Sequence, residues 1–167
     1  SLILPDTVIF VERKAFAGCD NLSKITLSSN LQSIEKGAFQ GCKKLVNVTL
    51  PGTLQFIDKD VFKDCNQLSI KASGVNRTFI IENGILIIKK DNIKRVLFAS
   101  PVITKGDIRI PNDIDIIDDN AFASCKEVHS VTIPNNVKYI GCGAFRNCKH
   151  LESIIMPIEM NYIGKGL

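Results

Sequence analysis

The sequence lacks the features of several large classes of protein. Its longest purely aliphatic run, from Ile85 to Ile88, is far too short to span a bilayer, so no membrane-spanning segment is predicted. Its 21 basic and 17 acidic residues are spread along the chain, without a basic stripe or interleaved stacking aromatics. That distribution argues against nucleic-acid binding.

Motifs that would indicate catalysis or a cofactor are also missing. There is no glycine-rich phosphate loop and no Cys-x-x-Cys pair. Neither His129 nor His150 has a serine or cysteine nearby in an elbow-like motif. We therefore predict a chain that is not an enzyme, with no catalytic, cofactor-binding or metal-binding residues, and a hydrolase is the least favoured function.

A short motif recurs at a fixed interval. A small or branched residue, a phenylalanine, two variable residues and a cysteine occur around Phe16, Phe39, Phe62, Phe122 and Phe145. Successive phenylalanines are 23 residues apart from Phe16 to Phe62, and again from Phe122 to Phe145. A fixed period of this length is typical of a solenoid, in which each repeat buries its apolar face only against its neighbours.

Each repeat has a regular internal pattern. Alternation at Ile25 and Leu27 predicts a first short strand, and Pro51 ends the equivalent strand because proline cannot donate to a ladder. A second extended piece is predicted to end at Ile34 and at the matching residues of other repeats. The Ala-Phe-x-x-Cys segment is too short for an independent helix but suits one helical turn held by packing. The predicted coil is strand, corner, strand and helical turn.

The whole unit reads LxxIxLPxxVxxIxxxAFxxCxxL, and it resembles the BspA-like class of leucine-rich repeats over about three quarters of the chain. The resemblance implies a right-handed leucine-rich-repeat solenoid of the α/β horseshoe class, with short strands and one-turn helices. It also implies relatives that are surface proteins of bacteria and some protists, many of them in adhesion and host interaction. It brings no enzymatic residues with it.

The period fails once. Phe62 and Phe122 are 60 residues apart, 14 more than two repeats. Between them, Asn83-Gly84 separates two apolar runs, which is the strongest short-range signal of a β-hairpin, and a third strand is predicted from Ile93 to Phe98. We predict one continuous domain with repeats over 1–70, an inserted β-hairpin or meander over 71–109, and repeats over 110–167.

Five of the six cysteines share one repeat position, which predicts a single inward-facing column. Adjacent coils would set their Cα atoms about 5 Å apart, but parallel side-chain vectors disfavour a disulfide. We predict free buried thiols, since cysteine packs well as a small hydrophobe. Cys142 occupies a position that is charged in the other repeats, so it is the candidate exposed, reactive thiol. The column consists of Cys19, Cys42, Cys65, Cys125 and Cys148.

Carboxylates form a second column immediately before the predicted helical turn. An acidic residue at a helical N-terminus satisfies free N–H groups and the local dipole, so we favour this structural use over a catalytic pair. The segment from Asp113 to Asp119 is also acidic, but it lacks the glycine and the terminal bidentate glutamate of a calcium loop. The column consists of Glu12, Glu35, Asp58 and Asp118.

Two outward-facing surfaces remain as candidates for binding. The outward residues of the first strand are small and polar, which suits a sheet that accepts a partner and equally a solvated sheet. This first-strand face includes Thr26, Asn47, Thr49 and Thr132. On the second strand, the residue before the buried Val or Ile should point away from the core, and it is apolar or aromatic in five of six repeats. This second-strand stripe consists of Phe10, Phe56, Ile116, Tyr139 and Tyr162.

A contiguous exposed apolar stripe is typical of a contact surface. The alternative is structural: bulky β-formers suit a strand, and adjacent coils would partly cover them. Together with the stripe, the resemblance to BspA-like proteins implies a recognition or adhesion module of a secreted or cell-surface protein. The expected partner is an extracellular-matrix or host surface protein, with weak self-association as a second use of the stripe. The alternative is a structural spacer without a ligand. The chain begins and ends partway through a repeat, so further repeats or a cap, a signal and an anchor are expected elsewhere.

Overall fold

A computed structural model describes residues 1–74 and 76–167. The described residues form sixteen strands and no helix. The strands are β1 Leu2–Ile3, β2 Phe10–Val11, β3 Ile25–Thr26, β4 Ser33–Ile34, β5 Asn47–Pro51, β6 Phe56–Ile57, β7 Ser69–Ser73, β8 Phe79–Glu82, β9 Ile85–Lys90, β10 Ile93–Ala99, β11 Gly106–Arg109, β12 Ile116–Ile117, β13 Val128–Thr132, β14 Tyr139–Ile140, β15 Ser153–Ile155 and β16 Tyr162–Ile163.

The strands stack as about seven coils of a solenoid. Each coil supplies a first strand (β1, β3, β5, β7, β11, β13, β15) and a second strand (β2, β4, β6, β10, β12, β14, β16). Equivalent residues of successive coils pair in parallel: Leu2 with Ile25, and Val11 with Ile34. The predicted short strands are thus present, and the sheets run along the stack because each coil offers its strands to the next.

The prediction of one-turn helices is wrong. The Ala-Phe segment of each coil is a run of tight turns bracketed by residues with positive φ, which are Lys14 (59°) and Gly18 (72°) in the first coil. Two left-handed residues four positions apart cannot belong to an α-helix. As a result, successive N–H groups of the segment donate alternately within their own coil and to the next coil. The amide of Ala15 donates within its own coil to Glu12 O at 3.1 Å, whereas the amide of Phe16 donates to Ala38 O of the next coil at 2.8 Å.

The repeated phenylalanines form a buried stack along the solenoid. The ring centroids of Phe16 and Phe39 are 5.3 Å apart, and those of Phe39 and Phe62 are 5.8 Å apart, with nearly parallel planes. Phe122 and Phe145 stack in the same way at 5.1 Å. Each ring is too large for one coil to bury, so the stack ties neighbouring coils together.

The insertion lies in the fourth coil, between its first strand β7 and its second strand β10. Strands β8, β9 and β10 form an antiparallel meander, and β10 then pairs in parallel with β12. The β8–β9 turn is Asn83-Gly84, whose φ angles of 49° and 78° are the two positive values that a two-residue hairpin of type I′ requires.

Strand β9 is buried on both of its faces. Leu86 and Ile88 pack into the apolar cluster of the first coils, while Ile85 and Ile87 pack into the cluster of the later coils. The hairpin is therefore a wall between two halves of the core. This accounts for the uninterrupted aliphatic run in the sequence, since a strand covered on both faces has no solvent side to be polar.

The fourth coil also takes a shorter path than its neighbours. Ala99 N donates to Ala121 O just as Phe122 N donates to Ala144 O, so Ala99 occupies the position of the repeated phenylalanine. The ring of its neighbour Phe98 fills the stack instead, 5.6 Å from the ring of Phe62. Only positions 97 and 98 separate β10 residue Val96 from Ala99, whereas four residues separate Ile117 from Phe122.

Polar side chains close the gap that the shortened coil leaves between the third coil and the later coils. Asn120 Nδ2 donates to Asp60 Oδ1 at 3.1 Å, and Lys59 Nζ lies 3.8 Å from Asp119 Oδ2. The insertion is thus accommodated without separating the two halves of the solenoid on this side.

Candidate binding surfaces

The second-strand stripe faces solvent, as its alternation predicts. Phe10, Phe56 and Tyr162 are 55%, 46% and 44% exposed, and Ile116 and Tyr139 are half-buried. The rings of Phe10, Phe56 and Tyr162 are therefore open to solvent, whereas Ile116 and Tyr139 are partly covered. Strand geometry produces this directly, because the next residue along each strand points into the core.

The stripe runs in two segments rather than one. Phe10, Ser33 and Phe56 are aligned across β2, β4 and β6. The second segment aligns Ile116, Tyr139 and Tyr162 across β12, β14 and β16. In the fourth coil the aligned residue is Arg95 of β10, which pairs with Ile116. Arg95 was not predicted from the sequence because the insertion hides its repeat position.

Two tyrosines of the stripe stack on each other. The rings of Tyr139 and Tyr162 are stacked at 4.6 Å with planes 8° apart. The exposed Cys142 lies beside them, with its Sγ 4.0 Å from the Tyr162 hydroxyl oxygen, and this contact raises the pKa of Tyr162. The candidate thiol is thus placed next to the stripe, which the sequence did not indicate. Its reactivity stays a prediction.

The first-strand face is also open. Thr26, Asn47 and Thr49 are exposed, and Thr132 is half-buried. In the later coils Thr132 lies between Arg109 and Ile155, so the face is mixed in character rather than uniformly small and polar. This face offers hydrogen-bonding groups over its middle, and the exposed side chains of Ile3 and Ile155 add apolar surface at its two ends.

A cleft separates the two segments of the stripe. It has a volume of about 450 Å³ and lies between strand β6 and the β9–β10 hairpin. A cleft of this size falls in the range of ordinary ligand sites. Its apolar lining consists of Phe56, Ile57, Ile88 and Leu97, and its charged lining of Asp58, Lys59, Lys89, Lys90 and Arg95.

The carboxylate column does not perform one shared role. Glu35 Oε2 accepts the backbone N–H of Arg13 in the preceding coil at 3.1 Å, and Asp58 Oδ1 accepts the N–H of Lys59. Asp118 is buried and pairs with Arg95 through both carboxylate oxygens. Since the turns contain no helix, these carboxylates serve individual N–H groups and one cation rather than a helix dipole.

Burial dominates the electrostatics of the Asp118–Arg95 pair. Removal from solvent raises the pKa of the Asp118 carboxyl, and the guanidinium of Arg95 beside it opposes that rise. The hydrogen bonds to Asp118 in turn raise the pKa of Arg95. The pair links the second strand of the fourth coil to the turn of the fifth coil.

The neighbouring aspartates have separate partners. Asp113 pairs with the ammonium of Lys94, Asp115 Oδ2 accepts the N–H of Lys94 at 2.8 Å, and Asp119 Oδ1 accepts the N–H of Cys142 at 2.8 Å. Within residues 1–74 and 76–167, no group of three or more His, Cys, Asp or Glu side chains is arranged to hold a metal ion.

All six cysteines are free. Three column members, Cys42, Cys65 and Cys125, are buried, while Cys148 is half-buried and Cys19 of the first coil is exposed. Burial raises the pKa of the Cys42 and Cys65 thiols to about 11 and about 12. These column thiols therefore stay protonated at neutral pH.

The two histidines, which the sequence places at different repeat positions, are neighbours in space. The rings of His129 and His150 are 6.3 Å apart and tilted, and His150 Nδ1 lies 4.0 Å from Glu127 Oε1. Both are exposed, on adjacent coils. A helix of the length and hydrophobicity needed to cross a membrane does not occur in the described part of the chain.

The fold and its surfaces define a class: a repeat solenoid with parallel strands along its sides, an exposed aromatic stripe and one internal hairpin. Within this class the family can be named. The chain belongs to the BspA type leucine-rich repeat family, whose model matches in six copies over residues 1–80 and 91–167. The residues between the matched ranges are mostly those of strand β9, the wall of the insertion.

Solved structures share the fold over nearly the whole chain. A leucine-rich cell surface protein from Faecalibacterium prausnitzii A2-165 is 28% identical with a TM-score of 0.88, and the match covers 93% of this chain and 41% of that one. The pneumococcal vaccine antigen PcpA is 21% identical with a TM-score of 0.88, covering 95% of this chain and 39% of that one.

A more distant fold relative is a leucine-rich repeat protein from Eubacterium ventriosum ATCC 27560, which is 16% identical with a TM-score of 0.54, covering 92% of this chain and 59% of that one. The chain thus spans less than two thirds of the length of each of these structures. No curated protein sequence matches it.

Proposed function

We propose that the chain is a non-enzymatic recognition module of a secreted or cell-surface protein, and that it binds an extracellular protein through the second-strand stripe. The exposure of Phe10, Phe56 and Tyr162 supports this proposal, because each is about half exposed, and the next residues along the strands of Phe10 and Phe56, Val11 and Ile57, are buried. Aromatic side chains that are exposed in a row are typical anchors of protein interfaces.

The stack supports recognition by holding these anchors rigid. Neighbouring stripe residues are paired strand residues, and the Tyr139–Tyr162 rings already stack on each other at 4.6 Å. A preorganised row loses little conformational entropy when a partner covers it, so several shallow contacts add up to useful affinity. The partner class is an extracellular-matrix or host surface protein. The cell-surface location of the F. prausnitzii relative supports this setting.

The test is binding of the chain to immobilised extracellular-matrix and plasma proteins by biolayer interferometry. The test variant is Phe56→Ser with Tyr139→Ser, which removes one anchor from each segment of the stripe. The matched control is Thr26→Ala with Thr49→Ala, which trims the first-strand face and leaves the stripe intact. Circular dichroism checks that both variants keep the wild-type fold.

We expect saturable binding by the wild-type chain. The stripe variant should lose this binding, and the threonine variant should keep it. Loss in the threonine variant alone would move the site to the first-strand face. If the wild-type chain binds no protein on the panel, recognition by this chain is refuted for those partners and the spacer function is favoured. Sedimentation equilibrium of the same variants shows whether the stripe also joins two copies of the chain.

A further inference from the structure

We propose that the cleft between β6 and the β9–β10 hairpin is a separate binding site for an extended acidic peptide, which adds to the open edge of β6. The open backbone edge, the apolar lining and the charge of the cleft support this proposal. It does not depend on the function proposed for the second-strand stripe.

Strand β6 is an interior strand with an unpaired edge. It pairs with β4 on one side, but no described strand pairs with its other side, because the fourth coil sends β10 into the hairpin instead. The preceding coil shows the hydrogen bonds that this edge lacks: Gln32 O accepts the N–H groups of Gln55 at 2.8 Å and Phe56 at 3.1 Å, and Ile34 O accepts the N–H of Asp58 at 3.0 Å.

The equivalent carbonyls of β6 belong to Gln55 and Ile57. Among the described residues neither oxygen accepts a hydrogen bond from a backbone N–H, and both residues line the cleft. Unpaired strand edges are templates for another strand, and two parallel acceptors require a ligand with N–H groups at alternate positions. A polypeptide in extended conformation supplies that spacing.

The lining selects the side chains of such a peptide. Phe56, Ile88 and Leu97 form an apolar surface in the cleft. A strand places alternate side chains on opposite faces, so an alternating apolar and charged peptide would lay its apolar residues against this surface. A glycan chain has neither backbone N–H groups nor apolar side chains to satisfy the two features together.

The charge of the lining determines which sign of charge the peptide should carry. Four cations, Lys59, Lys89, Lys90 and Arg95, line the cleft with a single carboxylate, Asp58. Arg95 and Lys59 already face Asp118 and Asp119. Lys89 and Lys90 have no ion-pair partner within the described ranges. The unpaired positive charge at this end of the cleft favours acidic side chains.

The experiment measures fluorescence polarisation of a labelled short peptide of alternating glutamate and valine, titrated with the chain. Three comparison peptides separate the contributions of charge, backbone N–H groups and side-chain alternation: one with lysine in place of glutamate, one N-methylated at every residue, and one of scrambled order. The Lys90→Glu variant reverses a charge in the cleft, and Lys126→Glu makes the same charge change at an exposed lysine outside it.

The expected result is saturable binding of the glutamate peptide, weakened about tenfold by Lys90→Glu and unchanged by Lys126→Glu. N-methylation removes the N–H donors and should also weaken binding about tenfold or more. Amide chemical shifts of the isotope-labelled chain should move mainly over 55–59 and 88–90.

Equal binding of the N-methylated peptide would overturn strand addition. Equal binding of the lysine peptide, or no binding of the glutamate peptide at all, would overturn the assignment of the ligand. The assignment would also be overturned if the chain bound heparin but not the glutamate peptide, and if Lys90→Glu abolished the heparin binding. The cleft would then be a site for a polyanion. Phe56 belongs to both the cleft and the second-strand stripe, so the panel experiment is also run with Tyr139→Ser alone, which leaves the cleft lining unchanged. Loss of binding in that variant reports on the stripe only, so the two proposals fail separately.

Discussion

The thiol of Cys65 donates a hydrogen bond to the backbone carbonyl of Phe39 in the preceding coil, with Sγ and O 3.0 Å apart. Cys42 and Cys148 make the same bond to Phe16 O and Phe122 O, each at 3.1 Å. The cysteine column is therefore a ladder of S–H donors between coils. Cysteine suits this position because it is small and apolar enough for the core and still carries a donor.

Replacing Cys65 tests the ladder. Cys65→Ala removes the donor and leaves a small cavity, so we expect a loss of about 1–2 kcal/mol in the free energy of unfolding. Cys65→Ser keeps a donor and should cost less than the alanine variant. Urea denaturation followed by circular dichroism gives both values. A serine variant less stable than the alanine variant would mean that the column is only an apolar filler.

Alkaline pH should destabilise the protein through the same column. Burial raises the pKa of Cys65 from 9.0 to about 12, so the folded state keeps a proton that the unfolded state loses. The stabilisation is therefore complete below pH 9.0 and falls as pH rises toward 12, with a slope of about 1.4 kcal/mol per pH unit for each such thiol. Urea unfolding across this range measures the slope. Cys65→Ser should flatten it, and parallel curves would contradict the assignment.

Removal of Arg95 should destabilise the fold in a pH-dependent way. Arg95→Ala leaves the buried carboxylate of Asp118 without its cation, which we expect to cost about 2–3 kcal/mol at neutral pH. Burial already raises the pKa of Asp118 above 3.8, so in acid the variant can bury a neutral carboxyl, and the cost should shrink. Denaturation of both proteins at about pH 7 and about pH 4 measures this.

The companion variant for this pair is Asp118→Asn. If the ion pair accounts for the effect, Arg95→Ala should cost much less in the Asp118→Asn background than alone. Equal costs in the two backgrounds would show that Arg95 acts through its aliphatic stem and not through its charge.

The hairpin turn should be intolerant of a side chain at Gly84. Its φ is 78°, and an added Cβ would lie 2.7 Å from Cβ of Ile103. Gly106 has a similar φ of 73° with open space around it, so Gly106→Ala reports the backbone strain alone, about 1 kcal/mol. Gly84→Ala should cost more than this by about 1–3 kcal/mol. Thermal unfolding compares the two, and equal losses would mean that the Ile103 contact relaxes freely.

Much of this architecture is readable from the sequence. The 23-residue period, the short strands and the Asn83-Gly84 turn were predicted from local pattern alone, because a repeat buries its residues against copies of itself. The outward direction of Phe10 and Phe56 also followed, since alternation along a strand decides which face a side chain takes. The one-turn helices failed because sequence spacing does not reveal the positive φ angles of residues such as Lys14.

The sequence by itself determined the stack: its period, its strand faces and its buried Phe and Cys columns, since each depends only on neighbouring copies of one unit. The tertiary structure decided what happens where the period breaks. It placed Arg95 at the stripe position, buried β9 between two cores and left the edge of β6 open beside a basic cleft. The pairing partner of an inserted strand depends on contacts between distant residues, and no local pattern encodes those contacts.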